Sequence, residues 1–123
     1  MRTPVTASVV FTLEPLSVNG GRDVYWVRQT DKMLVVEYVG GYVENAFGDN
    51  PAINLVIVHS GSTVPSGGEW PMQISGANNV FQQQTTIFVP PRHVLYMHAA
   101  RRSQSSFPTF YRLSIAGYLV DAA

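Results

Sequence analysis

The sequence contains no cysteine, and that absence removes disulfide frameworks, zinc–thiolate sites and thiol nucleophiles together. Long hydrophobic runs are missing as well. The stretch Val9-Val10-Phe11 is interrupted at Thr12 and Glu14, far short of the roughly 20 apolar residues that a membrane helix needs. The same interruption deprives the N-terminus of the apolar segment of a secretory signal, so the expectation is a cytoplasmic or particle-associated chain with no membrane insertion. Charge is scarce: 13% of residues are charged, where an ordinary globular protein has about 25%. Eight basic residues cancel eight acidic ones. Nucleic acid is therefore not an expected partner, because phosphate binding depends on clustered Lys and Arg, and here only Arg101-Arg102 forms a pair.

Apolar residues make up 46% of the 123 positions, enough for one domain with a core that needs no staple. With so little charge, the exterior must be covered by Ser, Thr, Asn, Gln and apolar groups. Such a surface suits a protein that hides part of itself against neighbouring subunits.

Glycine and proline punctuate the chain at Pro15, Gly20-Gly21, Gly40-Gly41, Gly48, Pro51, Gly61, Pro65, Gly67-Gly68, Pro71, Gly76, Pro90-Pro91 and Pro108. These breaks leave almost no window for a helix of three turns, but strands fit between them. Residues 6–13 put Ala7, Val9, Phe11 and Leu13 on one face. Residues 22–29 carry Val24-Tyr25-Trp26-Val27, apolar on both faces, with Trp26 expected in the core. Residues 33–39 and 42–47 are expected to form a hairpin through Gly40-Gly41, a dipeptide suited to the positive φ angles of a two-residue turn. Residues 53–59 are nearly all β-branched or leucine, as in a central strand. An irregular stretch follows over 60–79, with room for one short strand at 72–75, before strands at 80–89, 93–100 and 109–120. Seven or eight strands with turns every 8 to 12 residues or so predict a single all-β domain over 1–123. Its expected form is a two-sheet antiparallel sandwich with jelly-roll-like wiring, the immunoglobulin-like Greek key being the alternative.

Two segments, MLVVEYV at 33–39 and LSIAGYLVDAA at 113–123, resemble a group of small bacterial β-sandwich proteins. In that group an LVIEYVS-like strand lies in the first half and an ISGYLV-like strand ends the chain. The resemblance implies a sandwich whose final strand is integral to a sheet. It carries no activity and no functional residues to transfer.

No catalytic set is expected. A metal-binding barrel places two imidazoles two residues apart on one strand, whereas His93 and His98 are five apart and face opposite sides, and His59 has no acidic neighbour in sequence. A cupin-like metalloenzyme is thus a remote alternative, and neither a metal nor another cofactor is expected. The G-x-S-x-G elbow and the phosphate-binding G-x-x-x-x-G-K-[ST] loop are both absent. Two segments remain as candidate binding surfaces. In the first, Trp70 stands beside Glu69 and Pro71, with Gln73, Asn78 and Asn79 nearby. That group could stack on a sugar ring in a lectin-like module for carbohydrate or another small ligand, or Trp70 could fold back as a lid over the sandwich. The second is AARRSQSSFPTF at 99–110, where Arg101 and Arg102 could meet an anionic group or a neighbouring subunit. The alternative there is a solvated loop whose phenylalanines return to the core. The leading expectation is a non-enzymatic structural or assembly subunit. It would self-associate as a closed trimer or dimer, or decorate a virion, tail or filament, with carbohydrate binding as the second reading.

Overall fold

The computed structural model describes residues 2–44, 51–59, 65–72, 80–101 and 106–122, and for 65–71 the backbone alone. Among the described residues eight strands occur: β1 (Thr3–Leu13), β2 (Asn19–Trp26), β3 (Lys32–Glu44), β4 (Ala52–His59), β5 (Pro65–Pro71), β6 (Val80–Val89), β7 (His93–Ala100) and β8 (Thr109–Asp121). They form two four-stranded sheets, ordered β1-β8-β3-β6 and β2-β7-β4-β5, with every pairing antiparallel. Only β4 and β5 are consecutive strands within one sheet, so every other connection crosses from sheet to sheet. This is the jelly-roll-like sandwich. An immunoglobulin-like arrangement would keep β1 beside β2 in one sheet; here β1 pairs with the C-terminal strand β8 instead.

Alternation of side chains explains most of the packing. In β8, Tyr111, Leu113 and Ile115 are buried while Arg112 is exposed; in β6, Phe81, Ile87 and Val89 point inward while Gln82, Gln84, Thr86 and Phe88 are exposed. The core between the sheets joins these to Val9, Leu13, Leu34, Val36, Val39, Ile53, Leu55, Leu95 and Met97. Each such side chain, fully buried, contributes about 1.5–3 kcal/mol. The fully buried Tyr111 also ties the sheets together, because its hydroxyl donates to the Ala100 carbonyl at 2.7 Å.

Three expectations need correction. First, no hairpin forms at Gly40-Gly41, since β3 runs straight through as a 13-residue strand. The glycines serve close approach: a Cβ on Gly41 would lie 1.9 Å from the Arg112 carbonyl oxygen, and one on Gly40 would lie 2.8 Å from the Tyr38 hydroxyl. Second, Trp26 is not in the core but 44% exposed, with the Arg28 guanidinium 4.8 Å from its ring centre. An irregularity between Asp23 and Tyr25 shifts the register, so Val24 and Tyr25 pack against the core and Val27 is buried in place of Trp26. Third, 65–71 is not irregular. It pairs with β4, Trp70 opposite Leu55 and Glu69 opposite Val56, and so supplies the edge strand of its sheet.

Candidate functional site

One end of the sandwich is organised by Arg101, which follows β7 directly. Its side chain is 4% exposed. Nε donates to the Ser17 carbonyl at 2.7 Å and Nη2 to the Glu14 carbonyl at 3.0 Å. Nη1 reaches the Phe107 carbonyl at 2.7 Å and the Thr109 hydroxyl at 2.8 Å. The planar fork of guanidinium donors suits this task, because a single rigid group spans carbonyls from two separate loops. The backbone N–H of Arg101 adds a bond to the Val18 carbonyl at 2.8 Å. Arg101 thus fastens the β1–β2 turn to the β7–β8 connection. Where the sequence suggested contact with an external anion or subunit, these hydrogen bonds of Arg101 go to its own chain.

The fastened turn is strained. Glu14-Pro15-Leu16-Ser17 closes with Ser17 N–H on the Glu14 carbonyl at 3.1 Å, and Leu16 has φ of 70°. Pro at the second position and positive φ at the third are type II features, and the third position ordinarily belongs to Gly or Asn. Leu16 is nevertheless 61% exposed, and Phe107, on the other fastened loop, is 57% exposed. Two large apolar side chains therefore project from loops held on one guanidinium.

A second feature lies on the outer face of the β1-β8-β3-β6 sheet. Thr6 pairs with Ala116, and Ser8 with Ser114, whose hydroxyl donates to that of Ser8 at 3.2 Å. These small side chains floor a groove of about 380 Å³, with Tyr38 alongside, opposite Ala116 in β3. The Tyr38 ring lies over Gly40, which is why a Cβ there would strike it. Val10, Val80 and Phe88 are exposed on the same face.

Of the residues singled out from sequence, Glu69 and Trp70 stand on β5, whereas Gln73, Asn78, Asn79 and Arg102 lie outside the described residues. His93 and His98 fall on opposite faces of β7, as their spacing requires. His59 and His93 meet across β4 and β7 with rings edge to face, 4.9 Å between centres, and His93 Nδ1 is 2.8 Å from the Pro91 carbonyl. Among the described residues no three His, Asp or Glu side chains cluster as a metal site. No helix there is long and apolar enough to cross a membrane. At the end opposite Arg101, Lys32 and Asp121 form an exposed ion pair at 2.5 Å; the mutual hydrogen bond raises the Lys32 pKa and lowers that of Asp121. On the β2-β7-β4-β5 sheet, burial raises the Tyr96 phenol above its ordinary value, with the Asp23 carboxylate adding to the effect.

Leu16 and the groove residues did not emerge from sequence, whereas Phe107 lay in the 99–110 segment and is exposed rather than returned to the core. The available signal was Glu-Pro-Leu-Ser, a turn sequence with leucine where glycine is expected.

No family model and no curated protein matches the chain. Among solved structures it is similar to the Bacillus endospore appendages that form disulfide-linked pili. The identity is 14% and the TM-score 0.36, with 95% of this chain and 89% of that one covered. It is also similar to a chain of the cyanophage Pam1 capsid asymmetric unit, at 16% identity and a TM-score of 0.46, with 95% and 84% covered. At these values neither contributes a residue, a ligand or a role to this chain.

Proposed function

We propose that the chain is a non-enzymatic assembly subunit that associates with copies of itself, alone or as part of a larger particle such as a virion, tail or filament. One observation carries this reading: the β1-β8-β3-β6 sheet is thinly guarded. Its edge strands, TPVTASVVFTL in β1 and VFQQQTTIFV in β6, contain no charged residue and a single proline, Pro4 near the start of β1, and its outer face exposes Val10, Val80 and Phe88. Soluble sheets usually blunt their edges with lysine, proline or inward charges. The other sheet follows that practice more fully, with Arg22 and Asp23 in β2, and Pro65, Glu69 and Pro71 in β5. The groove lining of Thr6, Ser8, Tyr38, Ser114 and Ala116 includes no carboxylate, imidazole or ammonium, so it suits contact better than acid–base chemistry.

The surface measures 6981 Å², and a standard interface takes about 800 Å² per partner, about a ninth of it. A closed symmetric oligomer is the expected product, a trimer ahead of a dimer. Light scattering behind a sizing column tests the reading. A mass that stays at 13.6 kDa at tens of micromolar, in both low and high salt, refutes self-association of the isolated chain.

A further inference from the structure

We propose that copies of this chain join head to tail, with the Leu16–Phe107 end of one copy seated in the outer groove of the next, between Tyr38 and the Ser8–Ser114 pair. This rests on the self-association reading above and names the two surfaces that meet.

The strained turn is the first support. A leucine at φ of 70° that is 61% exposed contributes little to the fold, and glycine or asparagine would suit that backbone better. Strain held beside an exposed apolar side chain makes sense when that side chain is required elsewhere. The second support is rigidity. Arg101 binds the carbonyls of Glu14, Ser17 and Phe107, so Leu16 and Phe107 stand on a frame that is already ordered, and docking does not have to immobilise it.

The groove supplies the counterpart. Its floor is built of hydroxyls and methyls from Thr6, Ser8, Ser114 and Ala116, so a neighbour can approach the sheet closely there. A volume of about 380 Å³ lies near the lower end of the roughly 300–1,000 Å³ of ligand pockets, a size suited to a few inserted side chains. Charge is complementary as well. Glu14 is exposed two residues before Leu16, and Arg112 is exposed on the groove face one cross-strand pair beyond Ser114, opposite Val10.

The knob sits at an end of the sandwich and the groove on a face, so the contact is heterologous. A two-fold dimer satisfies it only if each knob reaches the other copy's groove at the same time, whereas rings or chains use it once at every junction, and a closed trimer is one such ring.

The test mixes two defective variants. The knob variant carries Leu16→Asn and Phe107→Asp; the groove variant carries Ala116→Arg. Both alter surface positions, and thermal melts establish that each is folded. In sedimentation velocity at equal concentration, the wild type is expected to form trimers or larger species. Each variant alone is expected to be monomeric, with association weakened by at least about tenfold, as when an interface loses an anchor side chain. Their mixture is expected to give one-to-one dimers and nothing larger, because one intact knob faces one intact groove. A separate variant, Leu16→Gly, is expected to melt higher than wild type yet associate more weakly, which a purely structural turn residue would not do. Variants that assemble like the wild type, or a mixture that stays monomeric, overturn the head-to-tail contact while leaving self-association standing. A monomeric wild type overturns both.

Discussion

Replacing Arg101 with methionine separates a structural role from a recognition role. The substitution keeps a long apolar stem but removes the donors that hold three loop carbonyls and the Thr109 hydroxyl. Water can reach part of this end, but Thr109 is buried, so its hydroxyl loses a partner that solvent does not readily replace. A net loss of about 1 kcal/mol per hydrogen bond, offset in part because a charge no longer has to be desolvated, gives a destabilisation of roughly 3 kcal/mol. Unfolding entropy near 2.1 cal/mol/K per residue makes that about 12 °C in melting temperature for a chain of this length. Lysine should recover only a fraction, because one ammonium cannot bridge carbonyls that a planar fork spans. Differential scanning calorimetry of Arg101→Met, Arg101→Lys and wild type measures the effect. An exposed arginine reserved for an anion would cost no more than about 0.5 kcal/mol on removal. A melting temperature for Arg101→Met within about 2 °C of wild type would therefore refute the fastening role.

Gly41→Ala should destabilise by at least about 2 kcal/mol in urea titrations, because the new Cβ meets the Arg112 carbonyl in β8; a gain of the 0.4–1 kcal/mol typical of compatible glycine sites would contradict the close approach. Trp26→Ala should cost about 1 kcal/mol, well below the roughly 2–5 kcal/mol of Leu113→Ala in the core, and equal losses would return Trp26 to the interior. Tyr96 should make the fold sensitive to alkali. Its raised pKa means that the folded chain holds the phenolic proton more tightly than the unfolded chain. That contribution is complete below the ordinary value of about 10 and is lost as pH rises through the higher folded value. Thermal melts across the alkaline range should show wild type losing stability more steeply than Tyr96→Phe, and parallel curves would count against the shift.

The strands were legible because side-chain alternation and turn residues are local. β4, β6, β7 and β8 fall within a residue or so of where composition puts them. What failed depended on partners distant in sequence. Gly40-Gly41 admits two physical readings, positive φ in a turn or a missing Cβ in a strand. The neighbouring strands decide for the second: β8 puts Ser114 opposite Gly40 and Leu113 opposite Gly41, and β6 puts Gln82 and Phe81 there on the other side. Trp26 belongs to a run apolar on both faces, so periodicity could not say which side faces the core. The register irregularity between Asp23 and Tyr25 decides it.

The same reasoning explains why Arg101 misled. In sequence it is one half of an arginine pair among serines, and such a pair reads as solvent-facing. Apart from the Thr109 hydroxyl, the partners described for it are backbone carbonyls, which every residue possesses and none advertises, and those of Ser17 and Glu14 lie 84 and 87 positions away. A guanidinium can be buried among carbonyls because they satisfy its donors, so composition alone cannot place it. Its burial also changes what the surface has to offer. A chain with only seven arginines and one lysine spends one of those cations inside, and the end it fastens presents Leu16 and Phe107 to solvent. The scarcity of charge visible in the composition thus becomes, in the fold, an end that turns two large apolar side chains outward beside the exposed Glu14. A charge-poor surface shows only that contact with neighbours is permitted. A strained leucine and a phenylalanine held on one buried guanidinium show where the fold has organised an apolar projection, and that is the stronger ground for assembly.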